Sequence, residues 1–203
     1  FYVTNPDKPS RLISAPPDTI LSTPCGRKGA NFVEMREIDL RELTPDVLSA
    51  GSIPFKTPLY FLNRFLLHPF YDYKVFLING REGETALIAT RVSCSQEMRA
   101  LRIVDFTGSL KIIGQMGECI AKLMNEEDAE YADFWNYGVP NNYLEQAGFD
   151  LADPDGDVIV PNYFVPFSAK TSRIFSTYKL NALGPFLIFK ADGDQDRPNS
   201  LAE

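Results

Sequence analysis

The chain has 203 residues and a formal net charge of −7, and 44% of its residues are hydrophobic, so it is long enough for one globular domain with a substantial core. The acidic balance and the absence of a lysine/arginine run argue against a nucleic-acid partner, and no apolar run approaches the roughly 18 residues of a membrane span. Three scattered cysteines predict neither a disulfide framework nor a zinc site, and we expect a cytoplasmic protein without a bound metal.

The first part of the chain is rich in proline and lacks regular hydrophobic spacing. Residues 1–30 contain five prolines and predict an extended, surface-following segment or a linker. Phe1-Tyr2-Val3 fits the last strand of a preceding domain, and Asn5-Pro6 would end that strand. Residues 31–191 then form the predicted domain, and residues 192–203 form a polar tail.

A first strand and two short helices open the predicted domain. Phe32–Ile38 alternates apolar and polar residues, which indicates a strand. Thr44-Pro45 and Thr57-Pro58 each place a capping hydroxyl before a proline, which is typical of a helix start. The second helix ends at His68-Pro69, because the residue before a proline is disfavoured in the helical conformation.

The later elements predict a sheet of mixed direction. Strands are predicted at Tyr73–Ile78, Glu84–Val92, Tyr131–Asn136, Val158–Phe164 and Pro185–Phe189, and a short helix at Pro140–Ala147 is closed by Gly148. The first two of these strands are joined by a turn and therefore form a hairpin. Tyr131–Asn136 is expected to run parallel to the strand before it, because a whole helix lies between the two. The class is therefore α/β.

The segment Leu101–Met124 is the centre of this arrangement and predicts a strand, a turn and a helix. The first part of the segment predicts a strand whose two faces alternate. One face would carry Leu101, Ile103 and Asp105, and the other face the residues between them, including Val104 and Phe106. Apolar residues then recur at helical spacing from Ile112 onward. A turn that leads from a strand into a helix directs free N–H groups at one spot, and this predicts a site for a phosphate.

This order of elements, together with the helix Tyr143–Ala147 that ends in Gly148-Phe149, resembles the GCN5-related N-acetyltransferase (GNAT) superfamily over residues 31–191. The resemblance implies a mostly antiparallel central sheet with one splayed parallel strand pair and flanking helices. His68–Tyr73 and Asp192–Asn199 are similar to segments of GNAT-like proteins associated with bacterial surface glycans.

The resemblance also implies acetyl-CoA, or another acyl-CoA, as co-substrate between the splayed strands. Its pantetheine would lie on the backbone of Ile103, Val104 and Phe106, and its pyrophosphate on the turn formed by Thr107, Gly108, Ser109, Lys111 and Gly114. Asn136, at the end of the fifth strand, is placed where it would bond to an amide of the pantetheine or of the substrate. The family's phosphate loop, Arg/Gln-x-x-Gly-x-Gly/Ala, is not matched, because this turn offers one lysine and two widely spaced glycines.

Acyl transfer to an amine needs a base, and the candidates are Asp105 and His68. Tyr143 is the candidate acid. It lies next to Leu144, the position at which the family often has a tyrosine as general acid. Asp105 and His68 each have a structural alternative, which is capping for Asp105 and a hydrogen bond at a helix end for His68. Candidate acceptor-binding residues are Arg64, Tyr71, Tyr73, Asp192, Asp196 and Arg197, for which the alternatives are packing and a solvated tail. Trp135 and Tyr137 can stack on a sugar ring or pack in the core.

Three functions follow from these observations. The first is an acyl-CoA-dependent N-acyltransferase of the cytoplasm, acting on a small-molecule amine such as an amino sugar or nucleotide-sugar. The second is a Fem-type transferase that uses aminoacyl-tRNA, favoured by the poor phosphate loop and by the preceding domain expected from Phe1-Tyr2-Val3 but opposed by the acidic charge. The third is a GNAT-like domain without CoA that serves as a binding or assembly module, alone or as a homodimer.

Overall fold

A six-stranded sheet of mixed direction organises the chain in a computed structural model that describes residues 1–25, 33–39, 42, 52–80, 82–162, 170–181 and 184–193. Its strands are β1 (Tyr2–Thr4), β2 (Glu34–Glu37), β3 (Tyr73–Asn79), β4 (Thr85–Ser95), β5 (Met98–Gly108) and β6 (Tyr131–Phe134). They lie in the order β1-β6-β5-β4-β3-β2, and only β5 and β6 are parallel neighbours. Two further strands, β7 (Asn136–Tyr137) and β8 (Ile188–Phe189), form a small antiparallel sheet.

Helices cover both faces of the large sheet. On one face lie α2 (Gly117–Glu126), α3 (Asn141–Gln146) and the 3-10 helix Leu110–Gln115. On the other face lie α1 (Pro58–Phe61) and the π-helix Leu62–Leu66, which bury Phe61 and Phe65. Another 3-10 helix, Lys190–Asp192, follows β8 directly. The arrangement is an α/β sandwich with a separate apolar core on each side of the sheet.

Several predicted features are confirmed. The β3–β4 hairpin and the parallel β5–β6 pair are present. Thr57 caps α1, since its hydroxyl accepts the Tyr60 N–H at 3.1 Å, and Pro58 is the first helical residue. Gly148 follows α3 with a φ of +92°, the left-handed conformation that favours glycine at a helix end. Phe1-Tyr2-Val3, predicted as the last strand of a preceding domain, contributes instead to strand β1 at the edge of this sheet, next to β6, with Tyr2 opposite Asp133.

A β-bulge in β5 changes which residues of the strand share a face. Ala89 of β4 lies opposite Asp105, whereas Thr90 lies opposite Ile103, so Val104 is the extra residue. The predicted alternation of Leu101, Ile103 and Asp105 is therefore wrong beyond Ile103. Phe106 joins the core on the α2 side, whereas Val104 packs with the α1 side and the Asp105 carboxylate bonds to Tyr60 of α1.

Other predicted boundaries need correction. The helix expected from Ile112 to Met124 is divided at Met116 into a 3-10 helix and α2. Gly117, the first residue of α2, lies against neighbouring carbonyl groups that leave no room for a side chain. The strand predicted at Val158–Phe164 is absent from the described residues 158–162, where only Ile159 makes a bridge, to Ser14. Strand pairing is limited there because Pro161 has no N–H to donate and because the Val160 N–H bonds to the Thr171 hydroxyl at 2.8 Å.

Three predicted strands are shorter than expected, and some predictions are not tested. The strand of Phe32–Ile38 covers Glu34–Glu37, that of Tyr131–Asn136 ends at Phe134, and that of Pro185–Phe189 covers only the last two residues. The helix at Thr44-Pro45 and the residues Phe32, Asp196 and Arg197 lie outside the described residues.

Two glycines with positive φ provide a test of the packing around α3. A Cβ at Gly148 would lie 2.3 Å from the carbonyl oxygen of Thr23, whereas one at Gly83, with a φ of +81°, would have nothing within 4 Å. We expect Gly83→Ala to lower the free energy of unfolding by about 1 kcal/mol, the conformational cost alone. Gly148→Ala should lower it by at least about 3 kcal/mol, because steric overlap is added. Urea denaturation of both variants measures the difference, and equal losses would contradict the described packing.

Candidate functional site

The parallel strands β5 and β6 part at the bulge, and the space between them is where the predicted ligand would lie. Their pairing runs from Ala100 opposite Tyr131 to Ile103 opposite Phe134. Beyond these residues β5 continues to Gly108, whereas the chain after Phe134 turns away to form β7. A bulge bends its strand and increases the local twist, so its position at Val104 explains why the pairing ends there. We call this space the β5–β6 opening.

The β5–β6 opening is filled by Phe189 of β8. The Phe189 ring is 2% exposed and stacks on Phe134, with the ring centroids 5.6 Å apart and the planes at 10°. It also lies 6.1 Å from the ring of Phe106. The backbone N–H of Phe106 donates to the Asp105 carboxylate at 2.8 Å, so this donor already has a partner within the protein.

The predicted phosphate turn is also occupied by contacts within the chain. The Ser109 N–H donates to the Thr85 carbonyl at 3.0 Å, and the Ile112 N–H donates to the Ser109 carbonyl at 3.1 Å. At the start of α2, a Cβ on Gly117 would lie 2.2 Å from the Cys25 carbonyl oxygen, so the segment between β1 and β2 covers this helix end. Backbone N–H groups that would bind a phosphate are thus bonded or covered at these positions.

The other residues of the predicted turn show no convergence on one point. Thr107 is buried, and the exposed Lys111 pairs with Glu82 at 3.7 Å. A Cβ on Gly114 would lie 2.5 Å from the Gln146 side-chain oxygen, which means that α3 covers this glycine. Gly108 has a φ of +114° and lies directly against the backbone of Thr85.

A buried ionic cluster borders the β5–β6 opening on the α1 side. Asp105 is fully buried and forms an ion pair with Lys56, which is 4% exposed. The Tyr60 hydroxyl donates to the other oxygen of Asp105 at 2.8 Å. Lys56 also bonds to Asp192 at 2.8 Å, and its ammonium lies 4.8 Å from the centre of the Phe189 ring. The cluster thus joins β5, α1 and the 3-10 helix that follows β8.

Burial controls the proton affinity of this cluster. Desolvation raises the pKa of Asp105 to about 6, although the Lys56 ammonium and two hydrogen bonds act in the opposite direction. Desolvation and the neighbouring Asp105 raise the pKa of the Tyr60 hydroxyl above its ordinary value. Asp105 therefore has the pKa that a general base near neutral pH needs, but no part of it is exposed to solvent.

A second buried ionic cluster borders the β5–β6 opening on the β6 side. Asp133 forms ion pairs with Arg102 and with Lys190, the latter at 3.3 Å, and all three residues are 2% exposed or less. Lys190 also donates to the Asn162 carbonyl at 2.9 Å, and Arg102 donates to the Pro161 carbonyl at 2.9 Å. Lys190 and Asp192 thus attach the segment that carries Phe189 to both sides of the opening.

The remaining predicted residues lie in other surroundings. His68 accepts the N–H groups of Phe70 and Tyr71 on Nδ1, at 3.2 and 3.0 Å, and its ring stacks on that of Tyr71. The buried Tyr73 packs on Phe65, and Arg64 lies over the same Phe65 ring. These contacts agree with the structural alternatives for His68, Tyr71 and Tyr73, whose catalytic and acceptor-binding roles stay predictions.

Tyr143 and Asn136 also make contacts within the domain. Tyr143 is half-buried and packs on the core formed with α2. The Asn136 side chain donates to the Phe134 carbonyl at 3.0 Å. The structure brings the predicted catalytic and acceptor-binding residues together in two places. Asp105 and Asp192 meet through Lys56, and His68 lies against the rings of Tyr71 and Tyr73.

Six residues of the two ionic clusters and the opening were not predicted from the sequence: Lys56, Tyr60, Phe189, Arg102, Asp133 and Lys190. Lys56 is the one charged residue in the run Ile53–Phe61, and a lone cation in an apolar segment is a usable signal for a buried ion pair. Tyr60 and Phe189 fit ordinary helix and strand patterns, and nothing in those patterns indicates their contacts.

Within the described residues, no group of three or more His, Cys, Asp or Glu side chains could hold a metal ion. No helix of this part of the chain is both long and apolar enough to cross a membrane. Comparison of the chain with protein-family models, curated proteins and solved structures gives no match. The relation to the GNAT superfamily therefore stays a prediction.

The pKa of Asp105 gives a prediction for stability against pH. Its value of about 6 in the folded state exceeds the ordinary 3.8, so the folded protein binds the extra proton between these pH values. We expect the free energy of unfolding of the native chain, minus that of Asp105→Asn, to fall by about 2 kcal/mol as the pH rises from about 4 to about 6. Urea denaturation across this range measures it.

Tyr60→Phe serves as the second variant in that series. This variant keeps Asp105 but removes a hydrogen bond that lowers the pKa of its carboxyl group. The pKa of Asp105 should therefore rise further, and the fall in the free energy of unfolding should extend to higher pH. A difference that stays level or rises between pH 4 and 6 would contradict the described burial of Asp105.

Proposed function

We propose that this chain is a GNAT-like binding module in which a residue of the chain itself, Phe189, fills the place where an acyl-CoA is expected. The observation that carries the proposal is the stacking of Phe189 on Phe134 in the β5–β6 opening, at 2% exposure. A pantetheine arm would need this space, and it would also need donors on β5 such as the Phe106 N–H, which is bonded to Asp105.

The GNAT-like part of the proposal is supported by the arrangement of the elements. An antiparallel hairpin precedes a parallel strand pair, the pair parts at a bulge, and α3 ends in Gly148-Phe149. The binding-module part is supported by two further observations. Chain segments cover the predicted phosphate turn, and the two ionic clusters attach Lys190 and Asp192 to the sheet.

The second candidate is the N-acyltransferase, and the cluster around Asp105 favours it. A carboxylate with a pKa raised to about 6 has the proton affinity to take the proton of an amine during attack on a thioester. In this function Phe189 would have to leave the β5–β6 opening, which would admit both the acyl-CoA and the acceptor. The ion pair with Lys56 and the bond from Tyr60 would then position Asp105.

Calorimetric titration of the chain with acetyl-CoA and with CoA separates the two candidates. The binding module predicts no saturable heat at ligand concentrations up to about 1 mM, where a specific acyl-CoA site would be filled. Saturable binding that is followed by transfer of the acetyl group to amines would overturn the proposal and favour the acyltransferase. Filter binding of aminoacyl-tRNA tests the Fem-type alternative, for which the charge of −7 predicts no retention.

Substitution of Phe189 tests whether its ring belongs to the permanent core. Phe189→Ala should lower the free energy of unfolding by about 3–5 kcal/mol, because it removes a buried ring and leaves a cavity. Phe189→Leu, which keeps most of the apolar volume, should cost less than Phe189→Ala. Phe70→Ala is the matched control, because Phe70 is 72% exposed and its loss should change stability by no more than about 0.5 kcal/mol.

A cost for Phe189→Ala below about 1 kcal/mol would mean that the ring is loosely held. Such a result would favour the acyltransferase, whose function needs this segment to move.

A further inference from the structure

A second concave site, separate from the β5–β6 opening, lies beside Trp135. Trp135 is half-buried between the end of β6 and the start of β7. It lines a cleft of about 250 Å³, whose opposite wall is the extended segment from Thr171 to Phe175. This volume is below that of most drug-sized sites and suits a ligand of about one ring.

The cleft combines aromatic surface with polar groups. Phe175 is 87% exposed, and an aromatic ring so exposed at the edge of a cleft offers a surface for stacking. The Thr171 hydroxyl accepts the Val160 N–H at 2.8 Å, which leaves its own proton to be donated. The Asn162 side chain holds the opposite wall by two bonds to the backbone of Ser172, at 2.8 and 3.0 Å. The wall is thus fixed before any ligand binds.

The charges of the cleft favour a neutral ligand. Arg173 lines the cleft and forms an ion pair with Asp155 on the protein surface. Its positive charge is therefore compensated, but a guanidinium has five donors, and those not bonded to Asp155 can bind ligand hydroxyl groups. An anion would have to compete with Asp155, and a cation would meet the guanidinium.

We propose that this cleft binds one neutral pyranose ring of a carbohydrate. A pyranose has an apolar face of C–H groups, which packs on Trp135 or Phe175, and a rim of hydroxyl groups, which bond to Thr171 and Arg173. The inference rests on the proposed binding function and names its ligand class. It concerns a different place from the β5–β6 opening, so the two proposals can fail separately.

Trp135 is the one tryptophan of the chain, so its fluorescence reports on this cleft alone. The full chain is titrated with the methyl glycosides of glucose, galactose and N-acetylglucosamine. For at least one of them we expect a saturable change of the emission with a dissociation constant in the millimolar range. Phe175→Ala should weaken that binding at least about tenfold. Phe70→Ala, which removes an exposed phenylalanine that does not line the cleft, should leave it unchanged.

Two results would overturn the inference. One is the absence of any saturable change, in emission or in heat, with each glycoside up to about 100 mM. The other is binding that Phe175→Ala leaves unaltered while circular dichroism shows that the variant is folded. If no glycoside binds and acetyl-CoA gives no heat either, only the carbohydrate site is refuted. If acetyl-CoA binds and its acetyl group is transferred, the proposed function is refuted, whatever the glycosides do.

Discussion

Two buried lysines determine how the domain closes where β5 and β6 part. Lys56 pairs with Asp105 and Asp192, and Lys190 pairs with Asp133. Moving a charge from water to a protein interior costs several kcal/mol unless a partner of opposite sign compensates it. Each lysine is therefore tied to its carboxylate, and Phe189, which lies between the two clusters, is held by both.

This closure is the physical basis of the proposed binding module. The bulge separates the strands, but the space that results is filled with aromatic side chains rather than left for a ligand. The backbone donors around it bond within the chain. An accessible concave surface lies instead beside Trp135, where the chain leaves the large sheet for the small one.

The sequence predicted local structure well where short-range chemistry decides it. The cap at Thr57, the glycine after α3 and the β3–β4 hairpin depend on residues a few positions apart. The mixed α/β class and the parallel pair followed from the order and length of these elements.

The sequence did not predict the bulge or the closure of the β5–β6 opening, because distant residues determine both. The bulge depends on the register between β4 and β5, and alternation along β5 alone gives no sign of the extra residue. Asp105 was expected near solvent or at a helix start, yet its ion pair with Lys56, 49 residues before it in the chain, and its bond from the Tyr60 hydroxyl compensate for its burial. The periodicity from Ile112 onward indicated one helix, but the structure divides it at Met116, next to the glycine that packs against Cys25.

The pairing of β1 with β6 has a consequence for the rate of folding. Tyr2 lies opposite Asp133, so this edge of the sheet forms only after segments from distant parts of the chain have met. Contacts so far apart in sequence carry a large loop-closure entropy and are associated with slow folding. Amide hydrogens of β6 should therefore gain protection from exchange later than those of the β3–β4 hairpin, whose strands are neighbours in sequence.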